Sequence, residues 1–214
     1  MLKKIIHKFR GDTLNYKLLQ LEDSFKYIQK KSILEQNILF NQDKGISDMK
    51  YCEHNIIVSL TTYGKRLFDV HLAIESIMEQ TMKANRIILW LENELKDSTL
   101  PKTLLLQQER GLEIKFCEDL RSYKKLIPTL ELYPNDAIIT IDDDLIYEFD
   151  FLETLIRPYL IDPQYIYCHR LHRMKFDKKN KLLPYKQWEW RCNDTLPLIT
   201  NFPTTGGGTL FPPN

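Results

Sequence analysis

The sequence predicts an α/β fold: a mostly parallel sheet flanked by helices, preceded by a helical N-terminal extension. Two observations carry this. From about residue 54 short β-branched runs alternate with stripes of apolar residues at helical spacing. Residues 1–50 lack that alternation and read as helix with Lys and Gln between the apolar positions.

The extension comes first. Leu18, Leu21, Phe25 and Ile28 recur at helical spacing, and the pattern ends in the polar stretch Asn41–Asp48. One or two amphipathic helices are expected, packing on the domain or on a neighbour; a basic surface that touches anionic lipid is the alternative. Residues 51–214 form the expected main domain. Ile56–Leu60 is a short apolar run of the kind a buried parallel strand shows. A polar turn, Thr61–Arg66, follows, and Leu67, Val70, Ile74, Ile77 and Met78 then form a helix stripe. Arg86–Leu91 is a second strand. Pro101 is placed to open a short helix through Leu106, and Leu112–Phe116 alternates as a third strand. Tyr123, Leu126, Ile127 and Leu130 give another helical stripe, closed by Pro134. Ala137–Ile141 is a fourth strand that runs into Asp142, Asp143 and Asp144, and Asp150 is placed to cap a helix from Phe151.

Composition narrows the function. The 214 residues, 43% hydrophobic, allow one sizeable core. Lys plus Arg number 30 against 29 Asp plus Glu, a net charge of +1 that gives no support to a nucleic-acid partner. Four dispersed cysteines without CxxC spacing suit reduced structural thiols, and no apolar run approaches the roughly 20 residues of a membrane span. A cytoplasmic protein is expected, with peripheral contact at the inner membrane face as the alternative for the basic extension.

In open α/β sheets ligands bind beyond the carboxyl ends of the strands. The tails of the first strand (Thr61, Thr62, Tyr63) and of the fourth (Asp142–Asp144) are therefore expected on one rim. Adjacent carboxylates repel one another, and Asp142 and Asp144 project the same way if strand geometry persists. A hard divalent ion with oxygen ligands compensates such a pair and leaves coordination positions for a diphosphate; a plain acidic loop or a helix N-cap is the alternative. Arg121, Lys124 and Lys125 stand ahead of a helix, where an anionic ligand would favour them; a solvated basic turn is the alternative. Tyr63 can stack on a base, with Thr61 or Thr62 hydrogen-bonding it. The His169–Arg173 run follows the apolar strand Tyr165–Cys168; no third ligand of zinc spacing is visible, and contact with phosphate or acceptor is expected, with plain surface positions as the alternative. Gly206, Gly207 and Gly208 lack the strand-to-helix context of a phosphate loop and suit a wall that a sugar approaches closely.

These segments also occur in an ordered series. Val58–Arg66, Ile74–Ile77 with Gln80–Thr81, Ile87–Leu91, Asp119–Pro128, Thr140–Asp144, Cys168–Arg170, Tyr185 with Trp188, and the triple glycine before Pro212 together resemble a family of bacterial GT-A glycosyltransferases of surface-polysaccharide and capsule biosynthesis. The resemblance covers about residue 55 to the end and leaves out residues 1–50. It implies a GT-A, Rossmann-like fold, a nucleotide-diphospho-sugar donor, a saccharide or lipid-linked acceptor, and a Mn²⁺ or Mg²⁺ ion. Thr61 and Tyr63 would then lie by the base, and Arg121 and Lys125 by the base or diphosphate. Asp142 and Asp143 would meet the ribose or the metal. Asp144, the last carboxylate of the DxD element, would be the surest metal contact. His169, Arg170, Gly206 and Gly207 would line the acceptor or sugar pocket. Proteins of this kind usually continue past the glycine-rich strand, so 51–214 is expected to be a truncated donor-binding domain. No catalytic base is singled out: nothing in the spacing of Glu189 or Asp194 selects either. A catalytically silent nucleotide-sugar-binding module of an assembly complex is the alternative.

Overall fold

The computed structural model describes residues 2–193 and 196–213. It divides into two compact units, Met1–Asn41 and Gln42–Asn214. The first is a single helix, α1 (Leu2–Phe40). No Gly or Pro interrupts it after Gly11, which is why one helix forms where two were allowed for. Leu18, Leu21, Phe25 and Ile28 on it are exposed. No helix among the described residues is long and apolar enough to cross a membrane.

The second unit is mixed α/β and Rossmann-like. In chain order it contains β1 (Ile56–Thr61), α2 (Val70–Met78), β2 (Arg86–Glu92), α3 (Lys102–Glu109), β3 (Leu112–Cys117), α4 (Ile127–Leu132), β4 (Ala137–Thr140) and α5 (Phe151–Ile161). Four short strands follow: β5 (Tyr167–Cys168), β6 (Leu171–Arg173), β7 (Asn201–Pro203) and β8 (Thr209–Phe211). The six-stranded sheet has the order β3-β2-β1-β4-β8-β5. β1 pairs in parallel with β2 and β4, and β2 with β3, whereas β8 runs antiparallel to β4 and β5. β6 and β7 form a separate antiparallel pair.

The two faces of the sheet are covered unequally. Ile56, Val58 and Leu60 of β1 point into the main core with Val70, Ile74 and Ile77 of α2 and Leu152, Leu155 and Ile156 of α5. Burying each such side chain contributes about 1.5–3 kcal/mol. The alternate residue Ile57 faces the other way, into a small cluster with Ile88 and Trp90. There α4 covers the sheet through a polar knot: Thr129 Oγ1 accepts from Trp90 Nε1 at 2.7 Å and shares a hydrogen bond with Ser59 Oγ at 2.8 Å.

The segment ahead of β1 is bound into this unit. Gly45 N donates to the Arg110 carbonyl and Ser47 N to the Ala84 carbonyl, each at 2.8 Å. Arg110 in turn reaches Glu75 at 2.6 Å, a fully buried ion pair that ties α3 to α2. Two local expectations differ from the structure. The stripe from Tyr123 to Leu130 is not one helix: residues Arg121–Lys125 form a tighter 3₁₀ turn before α4 starts at Ile127. Asp150 occupies the N-cap position of α5, but its side chain makes no capping bond.

Candidate functional site

The strand order fixes where a ligand can enter. β1, β2 and β3 step outward in one direction, and the chain then returns to lay β4 on the opposite side of β1. The direction of winding therefore reverses between β1 and β4, and the loops leaving these two strands part there to open a crevice at their carboxyl ends. A cavity of about 490 Å³ occupies that position. It gathers Thr61, Thr62, Tyr63 and Arg66 from the end of β1, Glu92 from β2, Asp119, Arg121, Ser122, Lys124 and Lys125 from the segment after β3, and Asp142 and Asp143 from the end of β4.

Each acidic residue of the triplet has its own environment. β4 ends at Thr140, so the alternation expected of a strand does not extend to the aspartates. Asp142 Oδ1 accepts from Lys125 Nζ at 2.5 Å. Asp143 is 7% exposed and accepts from Thr62 Oγ1 at 2.6 Å and from Arg66 Nη1 at 3.0 Å. Asp144 is half exposed and meets the other arm of the same guanidinium, Arg66 Nη2, at 3.1 Å. Arg66 also lies over the ring of Tyr63, 5.6 Å from its centroid. Asp142 thus faces Lys125, while Asp143 and Asp144 are bridged by Arg66.

A buried tyrosine holds the triplet to the C-terminal segment. Asp142 N donates to Tyr147 Oη at 2.9 Å, and Tyr147 Oη donates to the Gly206 carbonyl at 3.2 Å. Burial pushes the Tyr147 hydroxyl far above the usual tyrosine range, so it stays protonated at any working pH. Gly206 is required for the contact: a Cβ there would collide with Asp142 Oδ2.

On the opposite wall Lys124 is 2% exposed, with Nζ 2.6 Å from Glu92 and 3.0 Å from Asp119. Burial opposes its charge, but the hydrogen bonds to Glu92 and Asp119 prevail and hold the ammonium above the ordinary lysine range. Arg121 beside it has φ of 53°, the left-handed region that a non-glycine residue occupies only when its surroundings hold it there. Its N–H is fixed to Asp119 Oδ1 at 2.8 Å. Thr61 Oγ1 donates to the Trp90 carbonyl at 2.9 Å.

The structure therefore brings Thr61, Tyr63, Arg121, Lys125, Asp142 and Asp143 to one cavity, with Asp144 joined to it through Arg66. Arg170 and Gly206 line a second, adjacent cavity. His169 lines neither. Its ring stacks on Phe151 with centroids 4.8 Å apart, and Nε2 lies 3.3 Å from Thr154 Oγ1. Gly207 packs against Arg170, where a Cβ would come within 3.2 Å of the arginine Cβ. Glu189 pairs through its backbone with Arg173, and Asp194 lies outside the described residues. Arg66, Glu92 and Tyr147 carry little signal in the sequence: Arg66 is one residue of the polar Thr61–Arg66 turn, and Tyr147 is an aromatic five residues after Asp142.

Among the described residues no three His, Cys, Asp or Glu side chains form a group able to hold a metal ion alone. The triplet nevertheless supplies hard oxygen donors, and Mg²⁺-like ions commonly take one or two carboxylates plus substrate phosphates and water. The donor set therefore fits such an ion when a diphosphate completes it.

No known protein family matches this chain, and no curated protein matches it either. Among solved structures, CMP:2-keto-3-deoxy-manno-octonic acid synthetase complexed with CTP is similar in shape over 74% of this chain and 74% of its own, at 12% identity and a TM-score of 0.46. What the cavity can bind follows from its own residues.

Proposed function

We propose that this chain is a metal-dependent glycosyltransferase that takes its sugar from a nucleotide-diphospho-sugar and serves bacterial surface-polysaccharide biosynthesis. The supporting observation is the single cavity at the β1/β4 reversal. It combines an exposed aromatic ring (Tyr63), cationic side chains and two carboxylates of the acidic triplet (Asp142 and Asp143), with Asp144 reached through Arg66; these are the features a base, a diphosphate and a divalent ion respectively require. Charge supports the ion. Four cationic residues (Arg66, Arg121, Lys124, Lys125) and four acidic ones (Glu92, Asp119, Asp142, Asp143) line the cavity, so the wall itself is neutral. A diphosphate entering it needs added positive charge.

In this reading Tyr63 stacks on the base, and Arg121 and Lys125 contact the diphosphate. Asp142 and Asp144 hold Mn²⁺ or Mg²⁺, while Asp143 keeps Arg66 and Thr62 in place. The ion supplies Lewis-acid stabilisation of the departing diphosphate. In the transfer itself an acceptor hydroxyl oxygen bonds to the anomeric carbon as the bond from that carbon to the diphosphate oxygen breaks. The nucleoside diphosphate leaves with the electron pair, and the hydroxyl proton passes to a base.

One observation favours a second reading, a catalytically silent donor-binding module. Among the described residues, every carboxylate lining the cavity already faces a cationic side chain: Glu92 and Asp119 face Lys124, Asp142 faces Lys125, and Asp143 faces Arg66. A thermal-shift panel of nucleoside diphosphates and nucleotide sugars, with Mn²⁺ and with chelator, tests both. A metal-dependent rise for one nucleotide family supports the donor site. Transfer or hydrolysis of that donor rules out the silent module. No rise from folded protein rejects the glycosyltransferase reading.

A further inference from the structure

A second cavity, about 530 Å³, adjoins the first: Ser122 lines both, and Gly206 of the second touches Asp142 of the first. Its chemistry is different. No carboxylate is among its lining residues, whereas two arginines, Arg170 and Arg191, are. Among the described residues neither guanidinium is paired with an acid. The rest of the wall is largely aromatic. Tyr185 and Trp190 stand with centroids 4.8 Å apart, Phe202 and Tyr123 flank them, and all four are substantially exposed.

The two arginines are held in place. Arg170 Nε donates to Thr204 Oγ1 at 2.6 Å, so the remaining arm of the fork is directed by the loop between β7 and β8. Arg191 has φ of 52°, a left-handed conformation that needs a reason. Its N–H donates to His172 Nδ1 at 3.0 Å, and His172 is 4% exposed and packed against Trp190 with centroids 4.7 Å apart. The buried histidine thereby fixes the backbone of Arg191 and packs against Trp190, whose ring is tilted 54° from that of Tyr185.

Exposed aromatic faces carry partial negative charge and attract the weakly positive C–H face of a pyranose ring. Unpaired guanidinium groups select carboxylate or phosphate, with two parallel hydrogen bonds where geometry allows. Together they specify a ring and an anion. We propose that the second cavity holds the acceptor, and that this acceptor is a saccharide bearing an anionic group, its ring on Tyr185 and Trp190 and its anion on Arg170 and Arg191. The assignment as acceptor site rests on the donor reading of the first cavity. The preference for an anionic saccharide does not.

The test is an NMR titration of the full chain with four probes: methyl β-glucuronide, glucose 6-phosphate, the neutral methyl β-glucoside, and a nucleoside diphosphate with Mn²⁺. At least one of the two anionic sugars is expected to bind about tenfold more tightly than the glucoside, and which one does identifies the anion. In Arg191→Ala and Arg170→Ala that preference should vanish while nucleotide binding persists; Trp190→Ala should weaken all three sugars. Should Arg191→Ala fail to fold, Arg170→Gln on an exposed side chain carries the comparison. Equal binding of the three sugars, or a preference unchanged in the arginine variants, overturns the proposal. Nucleotide binding lost in both arginine variants overturns it too, by making the second cavity the nucleotide site. If sugars bind selectively but no nucleotide binds anywhere, the donor reading fails and the anion-selective saccharide site stands.

Discussion

Tyr147 joins two parts of the candidate site that are far apart in sequence. Replacing it with Phe removes the hydroxyl that accepts from Asp142 N and donates to the Gly206 carbonyl, leaving both backbone groups without that partner. Tyr147→Phe is expected to lose about 1–3 kcal/mol of stability in denaturant titrations. It should also weaken nucleotide binding, because the backbone of Asp142 loses its anchor and only Lys125 still holds the carboxylate. Asp144 stands apart from this core: it is half exposed, and Arg66 keeps its other partner, Asp143. Asp144→Ala should therefore shift folding stability by no more than about 0.5 kcal/mol. It should abolish the Mn²⁺-dependent part of nucleotide binding, and unchanged Mn²⁺ dependence would remove Asp144 from the metal role. Much of this site is legible in the sequence. Thr61, Tyr63, Arg121, Lys125 and the aspartates lie in short segments directly after strands, where an α/β sheet collects its ligand contacts. Arg66, Glu92 and Lys124 are harder to assign, since their roles depend on which charge lies across the cavity.

At the level of elements, α2 and α3 are clamped by one buried cluster. Glu75 accepts from Arg110 at 2.6 Å and from Gln107 Nε2 at 2.9 Å, and burial pushes its carboxyl up against the pull of both. Removing Glu75 leaves Arg110 with Glu79, 3.2 Å from Nη2, as its remaining acid partner, and leaves Gln107 Nε2 without its carboxylate. Glu75→Ala is accordingly expected to cost about 1–3 kcal/mol, read as a drop in denaturation midpoint. A variant as stable as the parent would show that Glu79 alone compensates the buried guanidinium. The parallel strands β1, β2 and β4 are legible because their side chains are buried on both faces and form nearly continuous apolar runs, broken within β1 only by Ser59. β5 is legible at the end of the apolar run Tyr165–Cys168, but β6 to β8 are not: strands of three residues show no period, and β8 is placed by its register with β4. The turn at Arg121–Lys125 is misleading because Tyr123, Leu126 and Ile127 keep helical spacing while Arg121 adopts a positive φ.

For the whole molecule, the division at Asn41 gives a prediction about where the chain can be cut. Residues 43–47 hydrogen-bond to Arg110 and Ala84 within the second unit. A chain beginning at Gln42 should keep the cooperative thermal transition of the α/β unit. One beginning at Lys50 should melt lower by several degrees, because the buried Arg110 loses its bonds to Asp43 and Gly45. Equal melting of the two would mean that this strap contributes nothing. Its attachment cannot be read from the polar stretch Asn41–Asp48, which is held by backbone hydrogen bonds and by one apolar side chain, Ile46, packed against the core. The three tryptophans have a further consequence. Trp90 is sealed beneath the sheet, with its indole N–H bonded to Thr129, while Trp188 and Trp190 belong to the ring cluster around Tyr185. Emission from the first should be blue and respond only to unfolding; emission from Trp190, which lines the second cavity, should be redder and respond to whatever enters there. The protein thus has two optical channels of its own, one for its fold and one for its candidate acceptor, and neither needs an attached dye.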